Sequence, residues 1–259
     1  MRIWYQVVSS ARRSSHFLAA LQAHCDEVAG ADVEVLVRGT PEGGFADQHA
    51  ALLHLDGASI LRLADEHVAA EGIDVYALGN VLDPAIGGLR EILDVPVVSV
   101  MEVATFVASL IGERFGVVAP NARLIPTIRD NIRRYGHGDR IAGMVPLEFA
   151  RITDMDALFV DHALAADTIE SIERQAAALV ERGAEVILTP GPIALAIARE
   201  GVTELAGAPV PDLYALLTTF AEALGSLRAR GVATSRLGRY LAPARADVDA
   251  AMRTVWPES

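Results

Sequence analysis

Short apolar segments alternate with amphipathic helical segments along almost the whole chain, and this alternation restricts the fold more than any other feature. Several apolar segments are unbroken runs rich in β-branched residues, such as VPVVSV at 95–100 and FGVV at 115–118. Strands that are apolar on both faces suit a parallel sheet covered by helices on each side. The pattern therefore predicts an α/β fold with right-handed crossovers. The predicted strands are 2–8, 33–38, 75–78, 97–100, 115–119, 141–146 and 185–189. The predicted helices are 16–28, 58–71, 103–111, 124–135, 166–182, 193–199 and 214–230.

The chain also contains two similar halves. Pro96 and Pro209 each precede an apolar helix, and these helices end at Gly112 and Gly225, so that both pairs are separated by 113 residues. A chance similarity between Ala-rich β-α units is the alternative explanation. A duplicated unit predicts two pseudo-symmetric, parallel-sheet α/β domains with a site in the cleft between them. The predicted domains are residues 1–100 plus 210–259, and residues 101–209.

The charged residues exclude two broad classes of function. The formal net charge is −12, and a surface of this sign repels nucleic-acid phosphates, so we expect no nucleic-acid partner. All 22 basic residues are arginine, and the sequence contains no lysine. A Schiff base with pyridoxal phosphate or with a carbonyl substrate, and a P-loop, both need lysine. Lysine-dependent carbanion and phosphoryl chemistry is therefore excluded.

The single cysteine and the amino-terminal segment restrict the chain further. Cys25 is the only cysteine, so neither an internal disulfide nor a multi-cysteine zinc site can form. It lies in an amphipathic helix, where we expect it to be a packing residue. No HxxxH pair is present, and we expect no metal. The segment MRIWYQVVSSARRSS lacks the long apolar run of a signal peptide, and no transmembrane window is visible, so the sequence predicts a cytoplasmic protein without a membrane partner.

The most informative segment is LGNVLDPAIGGLREILDVPVVSVME, residues 78–102. Asp83 followed by Pro84 predicts a helix start, with Asp83 as the N-cap. The loop before it directs backbone N–H groups towards the cleft, where they can bind a carboxylate. In the second half, ILTPGPI at 187–193 repeats strand, turn and helix, with Gly191 where backbone must approach closely. Two facing turns favour an acidic or imide-like substrate, although Asp83 taken alone could be only a cap.

Two segments carry a family resemblance. DPAIGGLREILDVPVVSVMEVA, residues 83–104, and GVATSRLGRYLAPA, residues 231–244, resemble the hydantoin and allantoin racemase branch of the aspartate/glutamate racemase superfamily. The resemblance implies two pseudo-symmetric α/β domains and no cofactor. It also implies a cleft in which two cysteines face the substrate carbon, one removing the α-proton and the other returning a proton. Arylmalonate decarboxylases, which retain one cysteine, and maleate isomerases belong to the same superfamily.

The chain departs from the family pattern at both cysteine positions. The first family cysteine lies three residues before the Asp-Pro pair, and Asn80 occupies that position. The second lies in the turn after the penultimate strand, and Pro190 occupies it. Asn cannot act as a base, and Pro has neither a side-chain proton nor an N–H. The resemblance therefore implies the scaffold without the two-thiol mechanism.

From these observations we expect a cofactor-independent racemase or isomerase that acts on a small carboxylate or a cyclic ureide. A decarboxylase or lyase on the same scaffold, and an inactive protein that binds small acids, are the alternatives. As a partner for the chain besides its substrate, we consider other copies of the same chain in a homo-oligomer. The predicted catalytic residues are Asp83, Asn80 and His16, with Asp83 as the first choice for the proton-transferring group and His16 in reserve. The predicted substrate contacts are Gln6, Ser9, Ser10, Val81, Leu82, Asn121, Thr189, Pro190, Gly191 and Ile193.

Overall fold

The computed structural model describes residues 1–10, 12–41, 43 and 49–257. The strands in this part of the chain are β1 (Arg2–Gln6), β2 (Glu34–Arg38), β3 (Val75–Leu78), β4 (Val97–Ser99), β5 (Phe115–Ala119), β6 (Ile141–Pro146), β7 (Val186–Leu188), β8 (Glu204–Leu205) and β9 (Ala208–Pro209). The α-helices are α1 (Ser15–Val28), α2 (Ala50–His67), α3 (Ile86–Ile92), α4 (Val100–Ile111), α5 (Ile125–Arg134), α6 (His162–Val180), α7 (Pro192–Arg199), α8 (Leu213–Ala229) and α9 (Arg245–Val255).

Strands β1 to β7 form two parallel sheets, which confirms the predicted α/β fold class. The first sheet has the order β2-β1-β3-β4, and the second has the order β6-β5-β7. In the first sheet Ile3 is in register with both Val35 and Val75, so β1 lies at its centre. Helix α8 packs against α1, α4, β3 and β4, and thus returns the chain to the first sheet. The exact domain boundaries stay a prediction.

The two sheets share one hydrophobic core, and each has a second core on its outer face. Tyr5 of β1 and Phe115 of β5 belong to the shared core, into which α1, α4 and α8 also pack. Trp4, one residue before Tyr5, faces the opposite side and packs against residues of α2 and α3. The outer core of the second sheet contains Val118 and residues of α6 and α7. Strands buried on both faces explain why the apolar runs are continuous.

The helix that follows β3 begins later than the sequence predicts. Asp83 is not an N-cap: α3 begins at Ile86, and the position before it is Ala85. Asp83 and Ala85 have φ of 50° and 58°, so the chain turns twice through the left-handed region before the helix begins. The prediction failed because Tyr135, distant in sequence, binds the Asp83 carboxylate in place of the local N–H groups.

The repeat between the two halves breaks down after α7. Whereas β4 extends the first sheet in parallel, Ala208 and Pro209 form an antiparallel ribbon with β8. Ala206 and Gly207 both have positive φ and close this ribbon as a two-residue turn. The ribbon and α9 are elements that the sequence did not predict: the ribbon strands are two residues long, and α9 buries none of its residues.

The segment after α8 runs along the first half of the chain. The Arg236 guanidinium donates hydrogen bonds to the backbone carbonyls of Arg90, Glu91 and Leu93, at the carboxyl end of α3. These carbonyls have no partner within the helix, so Arg236 satisfies and stabilises that end. Within the described residues, no helix has both the length and the apolar character needed to cross a membrane.

Candidate functional site

A cleft of about 710 Å³ lies between the two halves, where the carboxyl ends of parallel strands from both sheets meet. Its volume falls within the range of about 300–1,000 Å³ that is typical of small-molecule sites. Its walls combine apolar side chains with a few polar groups. The described residues that line it are Val7, Val8, Ser9, Arg13, Phe17, Gly79, Asn80, Val81, Pro120, Leu124, Arg151, Ile152, Thr153, Gly191, Pro192 and Tyr214.

The turn after β3 presents Asn80 to the cleft in a fixed orientation. Its side-chain oxygen accepts a hydrogen bond from the backbone N–H of Leu82 at 2.9 Å, and its backbone carbonyl accepts one from the N–H of Asp83 at 3.1 Å. A backbone N–H needs an acceptor, so the amide oxygen must be the end that faces Leu82. The side-chain NH₂ is therefore the end that is left for a ligand, and it can donate to negative charge.

The turn after β7 forms the facing wall. Gly191 has φ of 92°, a conformation that favours glycine, and a Cβ at this position would lie 3.2 Å from Cγ of Pro120. Pro192 follows as the first residue of α7, so the amino-terminal end of this helix borders the cleft. Helix amino termini carry partial positive charge, which favours an anion there.

The charged side chains on the described cleft wall are both positive. Arg13 lies in the turn after β1, and Arg151 immediately precedes a 3-10 helix that begins at Ile152. Tyr214, from α8, is the other titratable group on this wall; burial and the nearby Asp212 charge raise its pKa, so it is a neutral hydrogen-bond donor. In a chain with a net charge of −12, two guanidinium groups make this cleft locally attractive to anions.

The structure brings together several residues that the sequence singled out. Ser9, Asn80, Val81 and Gly191 all line the cleft, and they come from three separate strand-to-helix turns. Convergence of these turns follows from the topology, because the carboxyl ends of parallel strands lie at one edge of each sheet.

Other predicted contacts lie behind the cleft wall. Gln6 is fully buried, where its side chain bonds the Trp4 indole and the backbone carbonyls of Val7 and Arg38. Thr189 is also fully buried, and its hydroxyl has no hydrogen-bond partner among the described residues. The remaining predicted contacts outside the wall are Ser10, Leu82, Asn121, Pro190 and Ile193, all of them buried.

Asp83, the first choice for proton transfer, is not on the described cleft wall. It is 4% exposed, and its Oδ2 accepts a hydrogen bond from the Tyr135 hydroxyl at 2.6 Å. Among the described residues, its Oδ1 has no hydrogen-bond partner. Burial raises the pKa of this carboxyl to about 7, against the opposing effects of Tyr135 and Ser99. Because its backbone N–H binds Asn80, Asp83 is placed to hold the Asn80 turn rather than to touch a ligand.

His16, the reserve candidate, is exposed and also lies outside the described wall. Its Nδ1 is 2.8 Å from Oδ2 of Asp156, while Oδ1 of Asp156 accepts the backbone N–H of Phe17 at 2.8 Å. Asp156 thus satisfies a free N–H at the start of α1 and binds the His16 ring at the same time. This arrangement ties α1 to the 3-10 helix of the second half.

Cys25 is buried in the shared core and does not line the cleft. Its thiol is fully inaccessible, and the Thr218 hydroxyl lies 3.7 Å from its Sγ. Burial raises the pKa of this thiol to about 12, so it stays protonated at neutral pH. A protonated, inaccessible thiol is a poor nucleophile and a poor base.

Part of the wall was not predicted from the sequence. Arg13, Arg151 and Thr153 follow β1 and β6, so the rule that sites lie after strand ends could have found them. Phe17 and Tyr214 lie within helices that pack by their apolar faces, and no local signal distinguishes them from core residues. Within the described part of the chain, no group of three His, Cys, Asp or Glu side chains is arranged to hold a metal ion.

Comparison with known proteins identifies the family. The model of the Asp/Glu/Hydantoin racemase family matches residues 11–224. The chain belongs to this family. A hydantoin racemase from Pseudomonas sp. (strain NS671) is 30% identical over 174 residues, which cover 67% of this chain and 66% of that protein.

Two solved structures of the same family share the fold. The allantoin racemase from Klebsiella pneumoniae superposes with a TM-score of 0.80 at 23% identity and covers 100% of both chains. The allantoin racemase from Pseudomonas fluorescens superposes with a TM-score of 0.79 at 25% identity, covering 94% of this chain and 97% of that one. The fold of this chain is thus shared with these two allantoin racemases.

Proposed function

We propose that this Asp/Glu/hydantoin racemase family member is a cofactor-independent racemase or isomerase whose substrate carries a carboxylate next to an acidic carbon. The observation that carries the proposal is the wall of the cleft, where Arg151 and the side-chain NH₂ of Asn80 can both interact with negative charge. A guanidinium can bind a carboxylate through two parallel hydrogen bonds. Among small carboxylates and cyclic ureides, this wall suits the carboxylates better.

The same groups explain how the reaction would be accelerated. No carboxylate, histidine or cysteine lies on the described wall, so we propose that the α-proton passes to a water molecule in the cleft and that water returns a proton to the opposite face of the carbon. The electron pair of the broken C–H bond places further negative charge on the carboxylate oxygens, as an enolate. Donors that are already in position stabilise that charge more than they stabilise the ground state, which lowers the barrier. The fixed amide of Asn80 and the neutral hydroxyl of Tyr214 are such donors. The family resemblance places Asn80 and Pro190 at the two cysteine positions, and Cys25 is buried away from the cleft, so we propose that the reaction proceeds without a thiol.

A decarboxylase is the second candidate. Loss of CO₂ from a substituted malonate produces the same kind of enolate as loss of a proton. The donors of Asn80 and Arg151 would therefore support either reaction, and decarboxylation needs a proton donor but no base to begin it.

The test is incubation in D₂O with three sets of compounds: α-amino acids, substituted malonates and 5-substituted hydantoins. Deuterium incorporation at the α-carbon with loss of optical rotation supports the racemase, and CO₂ release supports the decarboxylase. Stabilisation against heat without turnover of any compound would contradict both and indicate a binding protein.

Variants of the wall make the test specific. Arg151→Gln should raise KM for a carboxylate substrate about tenfold or more, since a hydrogen bond to a charged group contributes about 1.5–3 kcal/mol. The same change should leave the KM for a neutral hydantoin unchanged. Asn80→Ala should lower kcat/KM by about tenfold or more for the same reason. Preference for hydantoins with no response to Arg151→Gln would contradict the carboxylate assignment.

A further inference from the structure

A second cavity, of about 380 Å³, shares no described lining residue with the first cleft. It lies between α3, α4, the carboxyl end of α5 and the segment that follows α8. The arginines on its wall are Arg90, Arg134 and Arg239, and Glu102 is the carboxylate among its described lining residues. The role proposed for the first cleft does not involve this cavity.

Each of these arginines has a different environment. The Arg90 guanidinium is neutralised by Glu102 at 2.5 Å, and it also donates to the Tyr240 hydroxyl at 3.1 Å. Arg134 donates to the neutral side-chain amide of Asn131 at 2.7 Å. Arg239 is exposed and has no acidic partner within the described part of the chain.

Arg134 is held in place without a salt bridge to any described residue. Its guanidinium lies 5.4 Å from the centre of the Tyr135 ring, a distance at which a cation interacts favourably with an aromatic face. The bond to Asn131 and this contact fix the side chain, and its charge acts on the buried Asp83 carboxyl without a direct hydrogen bond between the two. A cation that is already ordered loses little entropy when it binds an anion.

We propose that this second cavity binds a small dianion, such as the phosphate group of a phosphomonoester, between Arg134 and Arg239. Three guanidinium groups against one carboxylate leave the described wall with two excess positive charges. Two charges match a dianion, and planar guanidinium groups match the spacing of phosphate oxygens. In a chain with a net charge of −12, this excess of positive charge is local, as it is at the first cleft.

The experiment titrates the full chain with inorganic phosphate by calorimetry at pH 7.5, with chloride holding the ionic strength constant. Arg134→Gln and Arg239→Gln should each weaken phosphate binding about tenfold or more, as expected for the loss of one charge-assisted interaction. The matched control is Arg133→Gln. It removes the same charge from the neighbouring position on α5, where the side chain is 65% exposed and lies 3.8 Å from Asp130, so affinity should change less than about twofold.

A second control separates this cavity from the first cleft, which also carries arginines. Phosphate bound in the first cleft should be lost in Arg151→Gln, whereas the binding that Arg134→Gln and Arg239→Gln weaken should persist in it with unchanged affinity. The proposal is overturned if the wild-type protein does not bind phosphate, if Arg134→Gln and Arg239→Gln bind it as tightly as the wild type, or if Arg151→Gln alone abolishes binding. Circular dichroism of each variant confirms that the fold is retained.

Discussion

Replacing Asp83 by asparagine should change how the stability of the protein depends on pH. Burial holds the pKa of this carboxyl at about 7 in the folded protein, compared with an ordinary value of 3.8. The folded state therefore keeps a proton that the unfolded chain releases above about pH 4. Between these two values, the free energy of unfolding of the wild type falls as the pH rises, because the unfolded chain binds fewer protons than the folded one.

The size of the effect follows from the two pKa values. They differ by about 3, and each unit corresponds to about 1.4 kcal/mol, so the group removes about 4 kcal/mol of stability between pH 4 and pH 8. Asp83→Asn cannot ionise, and its amide oxygen can still accept the hydrogen bond from Tyr135. The stability of the variant relative to the wild type should therefore increase by about 4 kcal/mol over this range.

Urea denaturation followed by circular dichroism, at intervals from pH 4 to pH 8, measures the difference. Asp94→Asn is the control, since the Asp94 side chain is 98% exposed; its offset from the wild type should stay within about 0.5 kcal/mol. Tyr135→Phe removes a donor to the ionised carboxylate and should extend the loss of stability above pH 7. A constant offset between Asp83→Asn and the wild type would refute the assignment of a raised pKa.

Three further predictions concern positions elsewhere. Cys25→Ala should leave turnover unchanged and cost about 1 kcal/mol of stability, because the thiol is buried in the core; loss of turnover in a folded variant would show that a thiol takes part. Gly191→Ala should cost about 1–2 kcal/mol and lower kcat/KM, since its φ of 92° strains an L-residue; wild-type kinetics would contradict its place in the wall. Arg236→Ala should cost about 1–2 kcal/mol in urea denaturation with KM unchanged, because it uncaps α3; a changed KM would contradict a purely structural role.

The parallel sheets could be predicted from the sequence because burial on both faces demands continuous apolar strands. The predicted strands 75–78, 115–119 and 141–146 coincide with β3, β5 and β6. The positions of Asn80 and Gly191 in the cleft followed from one further rule, that parallel strands bring their carboxyl ends to a common edge. The first inference depends on the local apolar pattern of each strand, and the second depends on the direction in which parallel strands run. Both can be read from the sequence.

The roles of individual polar side chains depended on tertiary contacts. Asp83-Pro84 has the local pattern of a helix start, yet Tyr135, 52 residues away, binds the carboxylate and draws it into the interior. Tyr214 looks like a core residue of an apolar helix and becomes part of the cleft wall only because α8 packs between the halves. Local propensity is worth about 1 kcal/mol at a cap, whereas burial of a carboxyl changes its energetics by several times that amount. Where the two compete, packing between distant segments decides which partner a polar group takes.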